Sequence, residues 1–285
     1  MVRESIVAGT FYSGKFDHLE EQIVSCFNHK FGPGDLPLKK RTKKLKAIIV
    51  PHAGYAYSGP CAAWAYKEVA EAEFPDLFII IGPSHSGYSS AISIEDWKTP
   101  FGLIKTDKEF ALKLKENSDL KVNEKVHENE HSVEVQLPFL QFVNKDNMSK
   151  LRILPIVLTN DIDYKKLAKD FKKIIKEMKR KVIFIISSDF THYGHNYAYV
   201  PFTLDVKERL KDMDEKAFEY ITRLDSGGFA DFINKTGATI CGYLPILLLL
   251  EILEGTKGQV LLYYTSGALI GDYKNSVSYA SIIFR

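Results

Sequence analysis

Cysteine is scarce: Cys26, Cys61 and Cys241 are the only three in 285 residues. An odd, sparse set excludes a disulfide scaffold and suits a reducing compartment. Charge of one sign is scarce too. Lys plus Arg number 38 against 36 for Asp plus Glu, a net charge of +2, which leaves no excess to hold nucleic acid or an anionic membrane. Long apolar runs are missing: the most apolar stretch, Leu244 to Leu250, contains Pro245 and is followed by Glu251, far short of the roughly 20 residues that span a bilayer. The first ten residues carry Arg3 and Glu4 and lack the unbroken apolar stretch of an export signal. A cytoplasmic protein with no membrane and no nucleic-acid partner is expected. Arginine (7) and glutamine (4) are rare beside 31 lysines, a profile that points to a thermophile.

What is present is globular. Hydrophobic residues at 45% and charged residues at 26% exclude disordered, collagen-like and coiled-coil chains. Short β-branched runs at Ala47 to Val50, Leu77 to Ile81, Leu151 to Leu158, Val182 to Ile186, Gln259 to Tyr264 and Ser278 to Phe284 read as strands. Helical spacing occupies Phe16 to Phe27, Gly59 to Ala72, Lys108 to Glu116, His131 to Phe142, Tyr164 to Met178, Phe202 to Tyr220 and Tyr243 to Leu253, with Asp107 and Asp163 placed as N-caps. Strands separated by helices predict an α/β fold, a mostly parallel central sheet covered by helices on both faces. The length admits two domains or one large one. There is no internal repeat, and the only compositional break is Gly32 to Lys46, which carries Lys39, Lys40, Arg41, Lys43, Lys44 and Lys46. That run could bind phosphate, although a solvated linker accounts for it more simply. A single domain over residues 1–285 with a short N-terminal helical arm is the preferred organisation.

Six of the eight histidines fall in connecting segments or at a helix start, and three of those segments directly follow apolar strands. They are Pro51-His52-Ala53-Gly54, Gly82-Pro83-Ser84-His85-Ser86-Gly87 and Ser187-Ser188-Asp189-Phe190-Thr191-His192. Parallel strands share one carboxyl edge, where open α/β sheets bind ligands, so these histidines are expected to converge. Cys241 precedes the apolar helix beginning near Tyr243, where the helix dipole would favour a thiolate. Two imidazoles, a thiolate and a nearby carboxylate suit a redox-capable first-row metal or zinc. Taken singly, any one of these residues is as well explained as a loop histidine or a packed cysteine; the set is what points to a site.

His127-Glu128-Asn129-Glu130-His131 matches the H-E-x-x-H pattern of zinc proteases. That chemistry needs both histidines on one face of a helix, yet the apolar helical pattern starts only at Val133. His131 is instead a candidate for a role beside the metal or facing a substrate. Ser188, Asp189 and His192 lie too close along one loop for a hydrolase triad, and no nucleophile elbow, P-loop or dinucleotide fingerprint occurs. Tyr55, Tyr57 and Tyr88 could contact an aromatic substrate or simply pack.

The segments Ala8-Gly9-Thr10-Phe11-Tyr12, Val50-Pro51-His52-Ala53-Gly54-Tyr55, Gly82-Pro83-Ser84-His85, Glu130-His131-Ser132-Val133-Glu134, Ser187-Ser188-Asp189-Phe190-Thr191-His192 and Ile240-Cys241-Gly242 together resemble the Memo family across nearly the whole chain. The resemblance implies the fold of class III extradiol ring-cleaving dioxygenases. It also implies metal-binding positions at His52, His85 and Cys241, with Asp189 and His192 as pocket residues. Family members in archaea and bacteria accompany Ammecr-like and radical SAM proteins, and eukaryotic relatives are linked to phosphotyrosine-peptide binding and iron- or copper-dependent redox chemistry. The dioxygenases hold iron with two histidines and a carboxylate. Cys241 stands at the similar third position, and a softer thiolate disfavours catecholate chelation, which argues against ring cleavage. The expected site is therefore Fe(II) or Cu, with Zn as the alternative, held by His52, His85 and Cys241. His192 would act as general acid and base, Asp189 would orient it, and a small molecule or peptide would be the partner. A catalytically vestigial scaffold that binds a peptide or partner protein is the second reading, and metal-dependent hydrolysis using Glu128 the third.

Overall fold

All residues of Ala47–Val50 and of Leu77–Pro83 are buried. A strand that is apolar at every position, instead of every second one, needs cover on both faces, and the computed structural model provides it. The structure describes residues 1–38, 40–87 and 89–285; Lys39 of the basic run and Tyr88 lie outside the described residues. In chain order the elements are β1 (Val2–Arg3), α1 (Phe16–Asn28), β2 (Ala47–Val50), α2 (Tyr55–Glu71), β3 (Leu77–Pro83), β4 (Ala91–Ile92), β5 (Asp96–Thr99), β6 (Gly102–Thr106), α3 (Lys108–Asn117), β7 (Lys121–Val122), α4 (Glu124–Glu128) and α5 (Gln136–Val143). There follow β8 (Arg152–Leu158), α6 (Tyr164–Met178), β9 (Val182–Ser187), β10 (His192–Gly194), α7 (Val206–Thr222), α8 (Ser226–Thr236), α9 (Tyr243–Ile252), β11 (Gly258–Thr265), α10 (Ser266–Ile270) and β12 (Asn275–Phe284).

The sheet runs β1-β5-β6-β8-β3-β9-β2-β12-β10, with β11 on the other side of β12. Its centre, β6-β8-β3-β9-β2, is parallel throughout. Alternate residues serve opposite faces. In β2, Ala47 and Ile49 join α6 and α9 in one core, while Ile48 and Val50 join α1, α2 and α5 in the other. The α/β expectation holds, with a mixed sheet.

Several details differ from the sequence reading. The strands at Gln259 to Tyr264 and Ser278 to Phe284 pair antiparallel, β11 with β12 and β12 with β2. Only the five-residue α10 and a short turn connect β11 to β12, and a parallel crossover needs a dozen or more residues. Helix α2 begins at Tyr55, ahead of Gly59-Pro60, because its buried face runs on through both residues and tertiary packing outweighs their low helix propensity. Helix α5 begins at Gln136, not at His131, and α7 at Val206, not at Phe202. Helix α8 is absent from the sequence reading because Gly227 and Gly228 dilute its pattern; Asp225 caps its start by accepting from Gly228 N at 2.8 Å, and Gly237 ends it at a left-handed φ of 64°. The N-caps at Asp107 and Asp163 form as expected. Among the described residues, no helix is long and apolar enough to cross a membrane.

The H-E-x-x-H reading fails on geometry. Helix α4 stops at Glu128, with Asn129 as its C-cap, so His131 is not on a helical face with His127. His127 is fully buried, edge-on to Trp97 with ring centroids 5.8 Å apart, whereas Glu128 is exposed. Among the described residues, Glu128 does not sit beside a pair of histidines on one helical face. Burial, and then the Arg3 guanidinium, lower the His127 imidazole to about 3. The unfolded chain binds a proton at this residue below about 6.5 and the folded chain does not until about 3, so stability falls as pH drops through that window. The expected contribution is a loss of about 1.4 kcal/mol per pH unit between those limits; urea unfolding from pH 6.5 to 4 should show a shallower slope for His127→Leu than for the parent chain.

Candidate metal centre

His52 follows β2, His85 follows β3, Asp189 and His192 follow β9, and Cys241 lies just before α9. The parallel centre of the sheet brings the strand ends to one edge, where His52, His85, Asp189 and His192 line a cavity of about 460 Å3 and Cys241 Sγ lies 3.2 Å from His52 Nε2. Ligand atoms of His52, His85 and Cys241 lie within 4.8 Å of one another. The His52 and His85 rings are perpendicular at 5.1 Å, and His131 stacks on His85 at 4.5 Å. The expected convergence of sequence-distant residues is present.

The hydrogen bonds behind the rings assign their tautomers. The Ser187 hydroxyl spends its one proton on the Ser132 carbonyl at 2.6 Å and accepts from Gln136 Nε2 at 2.8 Å. His52 Nδ1, 2.9 Å from the same oxygen, must therefore donate. That leaves Nε2 as the lone pair, 3.2 Å from Cys241 Sγ. Gln136 is itself held by the Tyr66 hydroxyl at 3.0 Å and donates to the Pro51 carbonyl at 2.9 Å. His85 Nδ1 donates to Glu130 Oε1 at 2.9 Å, and His192 Nδ1 to the Thr239 carbonyl at 2.9 Å. Each ring thus carries a proton on Nδ1, so Nε2 is the nitrogen placed to bind a metal or exchange a proton.

Glu130 is the residue that sequence reasoning passed over in favour of Glu128. It is buried, and its oxygens accept the His85 ring, the His85 N–H at 2.6 Å and the Ser132 N–H at 2.8 Å. Burial alone would raise this carboxyl, but the His85 interactions and the two backbone donors outweigh it and hold it at about 2. Burial lowers His85, and the Glu130 carboxylate more than offsets that, leaving its basicity raised. His85, Glu130 and His131 form a second candidate cluster; since Glu130 already spends its oxygens on His85 and Ser132, the His52, His85 and Cys241 set has the freer donors.

Asp189 is placed differently from expectation. Its Oδ1 accepts from the His52 backbone N–H at 2.8 Å, and the orientation of His192 is set by Thr239. Burial raises the Asp189 carboxyl, against the opposing pull of His192 and the His52 N–H. Burial, followed by the charges of His85, His131 and His192, drives the His52 imidazole well below its ordinary value. Burial, and then Asp189, push the Cys241 thiol well above its own. The helix dipole expected to favour a thiolate is thus outweighed by desolvation; the Asp189 N–H at 3.2 Å from Sγ offsets part of that cost. Two glycines permit the close approach of these loops. A Cβ at Gly242 would lie 2.4 Å from Ser188 Cβ, and one at Gly82 would lie 2.3 Å from Ser132 Oγ.

Phe11 forms a wall of the cavity and contacts His131 at 4.8 Å. Its segment is anchored by buried Glu134, which pairs with Arg3 and accepts from the Tyr12 hydroxyl at 2.7 Å and from the Ile6 and Val7 N–H groups at 3.0 Å. Of the tyrosines considered from sequence, Tyr57 reaches the cavity, whereas Tyr55 is core and donates to the Val135 carbonyl at 2.7 Å. Tyr197 and Tyr279 join the lining with no local motif to announce them.

Fold and site together define an α/β protein with a strand-end pocket whose histidines and cysteine could coordinate one metal ion. A family model described as Memo-like protein matches residues 3–283. The chain is 35% identical to MEMO1 family protein MK0963 of Methanopyrus kandleri, covering 100% of this chain and 99% of that protein. It is 38% identical to a MEMO1 family protein of Sulfurisphaera tokodaii, and 39% identical to MmarC5_0191 of Methanococcus maripaludis, each over 100% of this chain. The chain belongs to the MEMO1 family. The crystal structure of an uncharacterized Escherichia coli K12 protein, JW3007, superposes with a TM-score of 0.55 at 10% identity, covering 84% of this chain and 99% of the other; this is a likeness of fold alone.

Removing the Glu134 carboxylate would strand Arg3 in the interior without its counter-ion. Glu134→Ala is expected to cost about 3–5 kcal/mol, measured by urea unfolding, and to raise hydrogen exchange across residues 5–12 by releasing the segment that carries Phe11.

Proposed function

We propose that His52, His85 and Cys241 hold a single Fe(II) or Cu ion and that the pocket performs metal-dependent redox or oxygen-related chemistry on a small molecule. The carrying observation is the donor set: two imidazoles whose Nδ1–H groups are tied back, and a thiol, with ligand atoms within 4.8 Å. Mixed nitrogen and sulfur donors fit borderline first-row metals, and zinc fits the same set. Such an ion, when bound, supplies electron transfer or polarisation of a ligand, for which the chain provides the surroundings. His192 acts as general acid and base through Nε2, steadied by Thr239. His131 and Phe11 face the substrate, and Asp189 fixes the His52 loop through its backbone bond.

Metal content after anaerobic loading with Fe(II) or Cu tests the reading. The parent chain should retain one ion per chain after desalting, while His52→Ala and Cys241→Ala should retain little. Equal content in all three overturns it. Gln136→Leu removes the amide that holds Ser187 in place behind His52; metal affinity is expected to fall about 10–100-fold with the ligands intact, as measured by competition with a chromophoric chelator.

A second reading, a scaffold for a peptide or partner protein, draws on the exposed rim of the cavity, where Tyr57, Tyr197 and Ile270 are 46%, 40% and 59% exposed. A partner bound equally by the metal-free chain and by a His52→Ala/His85→Ala variant would favour it. The Ammecr-like and radical SAM proteins implied by the family resemblance are the first partners to try.

A further inference from the structure

The strands begin at the edge opposite the histidine pocket, and an open groove of about 670 Å3 lies there. Its floor is apolar, including Leu45, Ile183 and Leu253, all buried. Its rim is basic: Lys44, Lys46, Lys172, Lys176, Arg180 and Lys181 border it, with only Glu73 and Glu254 as acids. Both acids are taken, Glu254 by Lys172 at 2.7 Å and Glu73 by Lys181 at 4.0 Å, and Arg180 turns to Glu109 at 2.8 Å. Lys44, Lys46 and Lys176 are exposed and meet no carboxylate within 4.0 Å among the described residues. The last turn of α6 accounts for Lys176 through the helix dipole, but Lys44 and Lys46 precede a strand.

The shape of the charge selects the occupant. Helices α6 and α9 both direct their carboxyl ends here, through Ile175, Lys176, Ile252 and Leu253, and the negative ends of the two helix dipoles disfavour a compact polyanion seated on the floor. Carboxylates spaced along a chain can instead reach the lysine tips at the rim while apolar residues between them cover the floor. We propose that this groove docks an acidic, partly apolar segment of a partner protein, whose carboxylates meet Lys44, Lys46 and Lys176. It works independently of the metal pocket, and it gives a use to the basic run that sequence alone assigned to a linker.

Fluorescence anisotropy with the full chain and a short labelled peptide of Glu, Leu and Ser tests this. The expected result is binding that weakens with salt and falls about tenfold or more in K44E/K46E/K176E. A smaller loss is expected in K44Q/K46Q/K176Q, with melting temperatures unchanged. Replacing Glu by Lys in the peptide should abolish binding. No binding of the acidic peptide, or equal binding by the parent and both triple variants, overturns the proposal. So does displacement of the peptide by a single-stranded oligonucleotide that binds the groove more tightly, which would make this a nucleic-acid surface.

Discussion

Every pocket imidazole with a hydrogen-bonded Nδ1 turns that nitrogen away from the cavity, and the acceptors behind it govern much of what surrounds the site. A buried N–H without a partner costs about 1–3 kcal/mol, so the buried His52 can sit at the sheet edge only because Ser187 waits for it, while Glu130 and the Thr239 carbonyl fix the more exposed rings of His85 and His192. Those acceptors are themselves constrained. Ser187 must give its proton to Ser132, Glu130 must stay ionised, and Thr239 must lie against the His192 backbone. The tautomers at the pocket are consequences of this outer ring of bonds.

The same polar layer explains why the loops are built as they are. Ser132 links Ser187 to the Pro83 carbonyl and leaves no room for a Cβ at Gly82. Ser188 accepts from the Gly242 N–H at 3.0 Å and excludes a Cβ there, which places Cys241 beside His52. On the far side, Glu134 gathers Arg3, Tyr12 and two backbone donors, so the first dozen residues close the pocket with Phe11. A chain that begins at one edge of the sheet thereby contributes to a site at its centre.

Much of the architecture was legible beforehand because continuous apolar runs admit few interpretations. Ala47–Val50, Leu77–Pro83 and residues 183–187 are buried on both faces, as a parallel interior requires. The antiparallel direction of β11 and β12 is not legible in composition; only the length of the connection reports it. Helix α8 was missed because a pair of glycines reads as loop, while the capping carboxylate of Asp225 counts only once its partner N–H is seen. At the site, His52, His85, His192 and Cys241 were visible through their place after strands or before a helix. Glu130, Gln136, Ser187 and Thr239 were not, since a common polar residue becomes informative only through what it touches.

The alternation of strands and helices, with histidines at strand ends, is written into the chain itself, because periodicity and chain order are local properties that burial enforces residue by residue. Which carboxylate serves His85, why His127 is core and not ligand, and where the Nδ1 protons of His52, His85 and His192 point follow from the folded arrangement. Those outcomes depend on distances between residues such as Ser187 and Gln136, 51 positions apart. Desolvation and hydrogen bonding act across that space with no regard for sequence separation.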